Sequence, residues 1–337
     1  AGKRAALRQR LGLGEDDFVI LFHGRISFYS KAHPLPILLA AEQLAHRIDR
    51  PVALMFYGYF PTEQFEDEFH ALVQDIAYQS TVRVVANSDP DYPDGIWAAA
   101  DVFTSLADNI QESFGLTPIE AMACGLPVLV SDWDGYRDTV THGAEGMVVP
   151  TAMPPAGSGL DIGYRYLIGE ESYGSYLAAS SQTTSVDIGA TVQALEELAT
   201  NADLCRRLGA AGAARADNVY DWRHVIPAYE SLWEELASRR AKAEESVPRG
   251  PTRPAHPSRP DPYKMFAGFP SSHLNLADRL EISVSSLDAI NALLQHRMNM
   301  FTPQFLLDGS QIATLIQSVK KEPGKSAAEL VAELAPD

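Results

Sequence analysis

Glu112-Ser113-Phe114-Gly115-Leu116-Thr117-Pro118-Ile119-Glu120 is the stretch on which the reading of this chain turns. A Ser-Phe-Gly turn follows the first glutamate. The run then continues as Ala121-Met122-Ala123-Cys124-Gly125-Leu126-Pro127-Val128-Leu129-Val130, which reads as helix, glycine stop and buried strand. A helix that starts behind a glycine-containing loop offers backbone N–H groups without intrahelical partners and the positive end of its dipole. That is an anion site suited to a diphosphate. A carboxylate just ahead of the helix can accept hydrogen bonds from sugar hydroxyls. A second one about two turns later lies on nearly the same face, so both can meet one extended polar ligand.

Working outward, Phe18 to Arg25, Pro51 to Gly58, Val82 to Val85 and Asp101 to Ser105 are short apolar runs ahead of this stretch, and Pro127 to Ser131 and Gly146 to Pro150 follow it. Pro36 to Arg47 and Thr62 to Ala77 carry apolar residues at helical spacing, and Gly95 to Ala100 reads as a short helix. Strands without in–out alternation, separated by helices, predict a doubly wound parallel α/β sheet of Rossmann-like type. Val186 to Ala199, N-capped by Asp187, and Ala202 to Ala216 read as further helices. A helix from Asp221-Trp222 presents a continuous apolar stripe of Trp222, Val225, Ile226, Tyr229, Leu232, Trp233 and Leu236. Residues 154–184 are rich in Gly, Ser, Tyr and Pro, with weak periodicity.

The proline-rich stretch 246–262 reads as a linker between a domain spanning 1–245 and a small, mostly helical module, 263–337. In that module Leu274 to Leu294 and Ser310 to Lys320 read as helices, and Ser326 caps a last helix through Leu334. The spacing suits any pair of hairpin-connected helices, and interaction or dimerisation is the expected use.

The chain has 337 residues, enough for about two domains, and 46% hydrophobic content supports a sizeable core. Net charge is −17 and uneven: nine Lys/Arg balance nine Asp/Glu from Ser246 onward, leaving 18 against 35 before it. An acidic domain is a poor general binder of nucleic acid, whose phosphates supply most non-specific affinity, so no nucleic-acid partner is expected. No apolar run approaches the roughly 20 residues needed to span a bilayer, and no secretory signal is read at the start, which points to a cytoplasmic setting. Cys124 and Cys205 lack metal-ligand spacing and read as free buried thiols.

A second constellation is Gly24-Arg25-Ile26-Ser27-Phe28-Tyr29-Ser30-Lys31. Arg25 and Lys31 sit on the loop at a strand's C-terminal end, where open α/β sheets bind ligands. Arg offers a bidentate fork to phosphate oxygens and Lys a compact charge, so together they can neutralise a diphosphate without a metal. Asp89-Pro90-Asp91 reads as a turn rather than a metal motif, and His142 as a structural loop residue. No G-x-G-x-x-G follows a strand, and there is no P-loop and no His/Cys metal cluster.

The Glu112–Glu120 stretch, with Glu-Ala-Met-Ala-Cys-Gly-Leu-Pro-Val at its end, resembles the E-x7-E signature of retaining glycosyltransferases of the GT-B fold, most like family 4 (group 1). The resemblance implies that Glu112 contacts the donor sugar and Glu120 the ribose of the nucleotide. It implies that Arg25 and Lys31, after Gly24, serve the diphosphate together with the helix start at Ser113, Phe114, Gly115 and Leu116. It also implies that backbone near Ala86 and Asn87 reads the nucleobase, and that no cofactor or metal is needed beyond the nucleotide-diphosphate sugar, UDP- before GDP-. Ala32 departs from the pattern, where the family often has Gly. A short loop usually stands at 154–184 in the family, so that segment is an expected insertion.

The resemblance covers Lys3 to Leu236 and matches the C-terminal, donor-binding half. The acceptor half is then expected from a separate chain, from a homo-oligomer or from a longer parent protein, with peripheral membrane association through it. In such enzymes the terminal helix crosses back onto that half; packing on this domain's own sheet is the alternative for the Trp222 stripe. A non-catalytic nucleotide-sugar-binding or regulatory module is the alternative function, and a nucleotide-sugar epimerase a third.

Overall fold

A computed structural model describes residues 2–89, 95–242, 261–282 and 286–334. The first part runs α1 (Gly2–Arg10), β1 (Phe18–Arg25), α2 (Pro34–Ala45), β2 (Val52–Tyr59), α3 (Glu63–Ile76), β3 (Thr81–Ala86), β4 (Val102–Ser105), α4 (Leu116–Ala123), β5 (Val128–Ser131), α5 (Tyr136–Thr139) and β6 (Gly146–Val149). The six strands form one sheet in the order β3-β2-β1-β4-β5-β6, every neighbouring pair parallel. β1 and β2 are buried on both faces except at their ends, which is why their sequences show no alternation.

The helices cover both faces. On one side Ile37, Leu38 and Leu44 of α2 and Phe69 and Leu72 of α3 pack on Phe18, Ile20 and Phe22 of β1. Val192, Leu195 and Leu198 of α8 (Ile188–Thr200) join them, with α9 (Ala202–Arg215) following. The other face holds Val19, Leu21, Phe103, Ile119, Met122 and Trp133. Asp187 caps α8 as expected, its carboxylate accepting the Ala190 N–H at 2.8 Å.

Arg8 fastens α1 beneath β1 and β4. It is 1% exposed. Its Nε donates to the Ala99 carbonyl (2.9 Å), Nη1 to those of Gly14 (3.2 Å), Glu15 (2.8 Å) and Asp17 (3.0 Å), and Nη2 to Asp101 Oδ2 (2.8 Å). Asp101 also accepts from Arg4 and from the Val19 N–H, so one carboxylate joins α1, β1 and the start of β4.

Residues 154–184 are ordered as α6 (Leu160–Ile168) and α7 (Tyr173–Gln182), between β7 (Thr151–Met153) and β8 (Ser185–Val186). α7 buries Tyr176, Leu177, Ala178, Ala179, Ser180 and Ser181 in succession. A helix enclosed over most of its length has no continuous polar face, and that accounts for its weak periodicity.

The segment beyond the proline-rich stretch, most of which lies outside the described residues, does not stand apart as one module. α11 (Pro262–Met265) leads to β9 (Ser272–His273), which pairs with β7 in a small sheet ordered β8-β7-β9. After α12 (Leu287–Gln295), His33 Nε2 lies 3.1 Å from the Met298 carbonyl, and the Phe301 ring stacks on Tyr29 at 5.0 Å and 10°. His296 meets Asp75 of α3 at 2.7 Å.

The helix expected from Leu274 begins only at Leu287. The Asn275 and Asp278 side chains accept the Ala277 and Asn275 N–H groups and bend the chain, a local competition that such residues commonly win against a helix. The carbonyls of Leu276 and Asp278 then accept from Ala328 and Ala327, at the start of α14 (Ala327–Leu334), which follows α13 (Gly309–Lys321). Ser326 and Glu329 cap α14 reciprocally.

α10 (Trp222–Lys242) buries none of its residues, so packing on this domain's own sheet is not what the Trp222 stripe does. Cys124, expected to be buried, is exposed: it ends α4 and faces away from the core, while Cys205 is half-buried, and both are free thiols. No helix of the described residues is long and apolar enough to cross a membrane.

Candidate donor-binding site

β1 and β4 are adjacent in the sheet, yet the chain leaves β1 toward β2 and β3 and leaves β4 toward β5 and β6. The loops after these two strands therefore diverge and open a crevice at the switch point, the usual ligand position of doubly wound sheets. A cleft of about 560 Å³ lies there, lined by Arg25, Ser30 and Lys31 from the first loop and by Ile110, Gln111, Glu112 and Ser113 from the second. Tyr173, Phe266 and Phe269 complete its wall.

Lys31 Nζ makes an ion pair with Glu112 Oε2, and the Glu112 side chain is 10% exposed. Arg25 is exposed, with Nη1 3.4 Å from Ser30 Oγ, which donates to Ser27 Oγ at 2.9 Å. Ala32, the departure from the family pattern, buries its methyl group in the core beside this loop. The second loop is shaped by Asn109: its side chain bonds the Tyr29 carbonyl and accepts the Gln111 N–H at 2.8 Å, and its own carbonyl accepts the Glu112 N–H at 3.0 Å. Tyr136 lies under Glu112 with its hydroxyl 2.7 Å from Ser105 Oγ. Burial, and then the Glu112 carboxylate, hold its phenol well above the ordinary range, so it serves as a neutral donor.

Gly115 caps α4 at φ +80°, and no side chain occupies the cap. A Cβ there would fall 2.2 Å from the Tyr136 ring, so only glycine lets the helix start so close to Glu112. Pro118, third in the helix, brings no N–H, so the amides of Leu116 and Thr117 are the first-turn donors.

The other expected residues are spread more widely. Because α4 starts at Leu116, Glu112 belongs to the loop, and the one-face argument holds for Glu120 alone. Glu120 lines a separate depression of about 310 Å³ with Ala123, Ala213, Asp217 and Tyr220. Phe114 stands at its edge, edge-on to Tyr220 at 6.1 Å, and Leu116 is exposed. Gly24, next to last in β1, lies beneath the Lys31 side chain. Asn87 is exposed after β3, two strands from β1, with its N–H on the Gly58 carbonyl at 2.9 Å, and it does not line the cleft.

His23, near both Lys31 and Glu120, was not anticipated. Its ring lies 4.8 Å from that of Tyr57 and 5.3 Å from that of Trp97, and Nδ1 sits 3.8 Å from Glu120 Oε2. Burial, then Lys31, lowers its pKa, and Nδ1 has no hydrogen-bond partner among the described residues. The only signal in sequence was a histidine immediately before Gly24-Arg25. Among the described residues no three His, Cys, Asp or Glu side chains gather as a metal cluster would require.

Behind the Lys31 loop, buried Asp108 accepts from the His33 N–H at 3.4 Å and from Ser181 Oγ at 3.1 Å. Burial pushes its carboxyl up to about 7 from 3.8. The folded state therefore keeps a proton that the unfolded chain releases, and this group's contribution to stability falls as pH rises from about 4 to about 7. Asp108→Asn is expected to stabilise the protein on the order of 2 kcal/mol at pH 8 and far less at pH 4, read by urea unfolding at both.

Residues 3–156 match the family model of glycosyl transferases group 1. Over 154 residues the chain is 34% identical to the D-inositol 3-phosphate glycosyltransferase of Kribbella flavida, covering 44% of this chain and 35% of that protein. A D-inositol 3-phosphate glycosyltransferase of Geodermatophilus obscurus is 28% identical over 270 residues, 75% of this chain and 48% of the relative. The chain thus spans about a third to a half of the length of the curated relatives it matches. The crystal structure of a glycosyltransferase from Rickettsia africae superposes with a TM-score of 0.51 at 15% identity, over 70% of this chain and 52% of that one, a likeness of fold. Residues 3–156 are thus similar to the group 1 glycosyltransferases, and the six-stranded parallel sheet with its cleft at the switch point has the Rossmann-like architecture of one half of the GT-B fold.

Proposed function

We propose that this chain carries the donor site of a retaining glycosyltransferase, which takes its sugar from a nucleotide diphosphate, uridine ahead of guanosine, in a cytoplasmic setting. The observation behind this reading is that Arg25, Lys31 and Glu112 share one cleft at the switch point. Arg25, Lys31 and the first turn of α4 stabilise the leaving diphosphate electrostatically, which needs no metal. Glu112 accepts hydrogen bonds from the donor sugar, and Glu120 from the ribose. The Lys31–Glu112 pair holds both groups until the diphosphate takes over the lysine. Transfer then proceeds on the front face, a diphosphate oxygen helping to deprotonate the acceptor. The acceptor half docks on the exposed stripe of α10 and completes the enzyme.

Titration calorimetry in the presence of a chelator is expected to show UDP binding; no binding of UDP or GDP at millimolar concentration overturns the reading. Lys31→Ala is expected to weaken UDP about tenfold, or about 1.4 kcal/mol. Glu120→Ala is expected to weaken UDP and UDP-sugar by the same factor, since it touches ribose, and unchanged affinity refutes that role. The purified chain alone is expected not to transfer sugar. A non-catalytic nucleotide-sugar-binding module is the second reading. Restored turnover on adding an acceptor half excludes it.

A further inference from the structure

Tyr173, Phe266 and Phe269 line the same cleft as Lys31 and Glu112, and all three lie outside residues 3–156, the stretch shared with the family. They come from α7 and from the segment just after α11, two places the sequence does not connect. We infer that they form this chain's share of the acceptor subsite, beside the part that the acceptor half supplies: an aromatic wall that stacks on the apolar face of a pyranose ring. The inference rests on the donor reading above.

The wall is held from behind. The Phe269 ring stands edge-on to buried Trp133 at 5.7 Å and 87°, and Phe266 edge-on to Phe269 at 4.9 Å and 71°. Tyr173 lies nearly parallel to Tyr176 at 6.4 Å and 20°. These are geometries in which ring quadrupoles attract, so the rings keep their places without a ligand. The Trp133 Nε1–H donates to the Asn109 carbonyl at 3.1 Å, the same oxygen that accepts the Glu112 N–H. One carbonyl therefore sets both the sugar-binding glutamate and the support of the wall, and the spacing between them is fixed.

The chemistry suits a sugar. A pyranose ring offers C–H groups on its faces and hydroxyls around its edge. Tyr173 is 48% exposed beside the polar groups of Gln111 and Ser113, and Gln111 Nε2 donates to the Tyr173 hydroxyl at 3.3 Å. An aromatic surface with a few fixed polar groups is the usual make-up of a site for a ligand of this kind. Glu112 and the two cations serve the donor, so the wall is left for the second ring.

Saturation-transfer NMR on the full chain with methyl α-D-glucopyranoside, methyl α-D-mannopyranoside and methyl β-D-galactopyranoside, each with saturating UDP, tests this. At least one glycoside is expected to receive transfer at its ring C–H protons. Tyr173→Ala and Phe266→Ala are each expected to weaken that glycoside at least fivefold, Tyr173→Phe less than twofold, and all three to leave UDP affinity within twofold. No transfer to any glycoside while UDP still binds overturns the subsite alone, as does binding that both alanine variants leave unchanged. Displacement of the glycoside by a 2-fluoro UDP-glucose, which resists transfer, assigns the wall to the donor ring and overturns the acceptor assignment. Failure of UDP itself to bind overturns the donor reading and the subsite with it.

Discussion

Arg8→Ala is expected to lower the unfolding free energy by about 3–5 kcal/mol, the range found when one partner of a buried ion pair is removed. The substitution strips Asp101 of its buried guanidinium and leaves four carbonyls, those of Gly14, Glu15, Asp17 and Ala99, without their donor. A buried acceptor left unpaired costs more than the original bond contributed. Arg8→Lys is expected to recover less than half of the loss, because an ammonium on a flexible stem cannot reach acceptors spread around a planar fork. Urea unfolding followed by circular dichroism distinguishes this from a helix-propensity effect. Ala5→Gly, on the same helix, is expected to cost no more than about 1 kcal/mol.

Gly58→Ala is expected to destabilise by about 3 kcal/mol or more, in the upper range for overpacking. Gly58 of β2 lies opposite Gly24 of β1 in register, and a Cβ on it would stand 1.8 Å from the Gly24 carbonyl oxygen. That neighbour is backbone near the C-terminal end of a parallel pair and cannot swing aside. Relief requires β1 and β2 to part at their C-terminal ends, which moves Arg25 and the loop to Lys31. A fall in melting temperature is therefore expected to come with weaker UDP binding even where the variant remains folded. Gly95→Ala is the control, since nothing lies within 4 Å of the added Cβ there. Equal melting temperatures for the two variants would refute the steric argument.

The sheet was legible because each strand is an apolar run closed by a turn residue and the helices between them require parallel pairing, while the strand order came only from the structure. Arg25 closes β1, Lys31 lies on the loop behind it and Glu112 on the loop ahead of α4, positions that a strand–loop–helix reading picks out. Their meeting in one cleft follows from β1 and β4 being neighbours. Phe266 and Phe269 were not legible: they lie about 150 residues after Glu112 and reach the cleft only because β9 pairs with β7. Periodicity carries no record of such a return. The Leu274 segment misled for a related reason, since its apolar spacing suits a helix while its Asn and Asp side chains and its pairing with Lys325 to Ala328 favour an extended path. Cys124 misled because an apolar helix buries one side, while the residue that caps its C-terminal end is exposed.

The return of the chain through β9 carries a consequence for how the molecule could be made. Ser271 and Ser272 hydroxyls donate to the Thr151 carbonyl, the Asp134 N–H donates to that of Phe269, and Asp261 accepts from Gly157. Together with the rings of Phe301 and Tyr29 these ties do not depend on peptide continuity between residues 243 and 260. Cutting the polypeptide there is expected to leave two fragments that still elute as one particle on size exclusion.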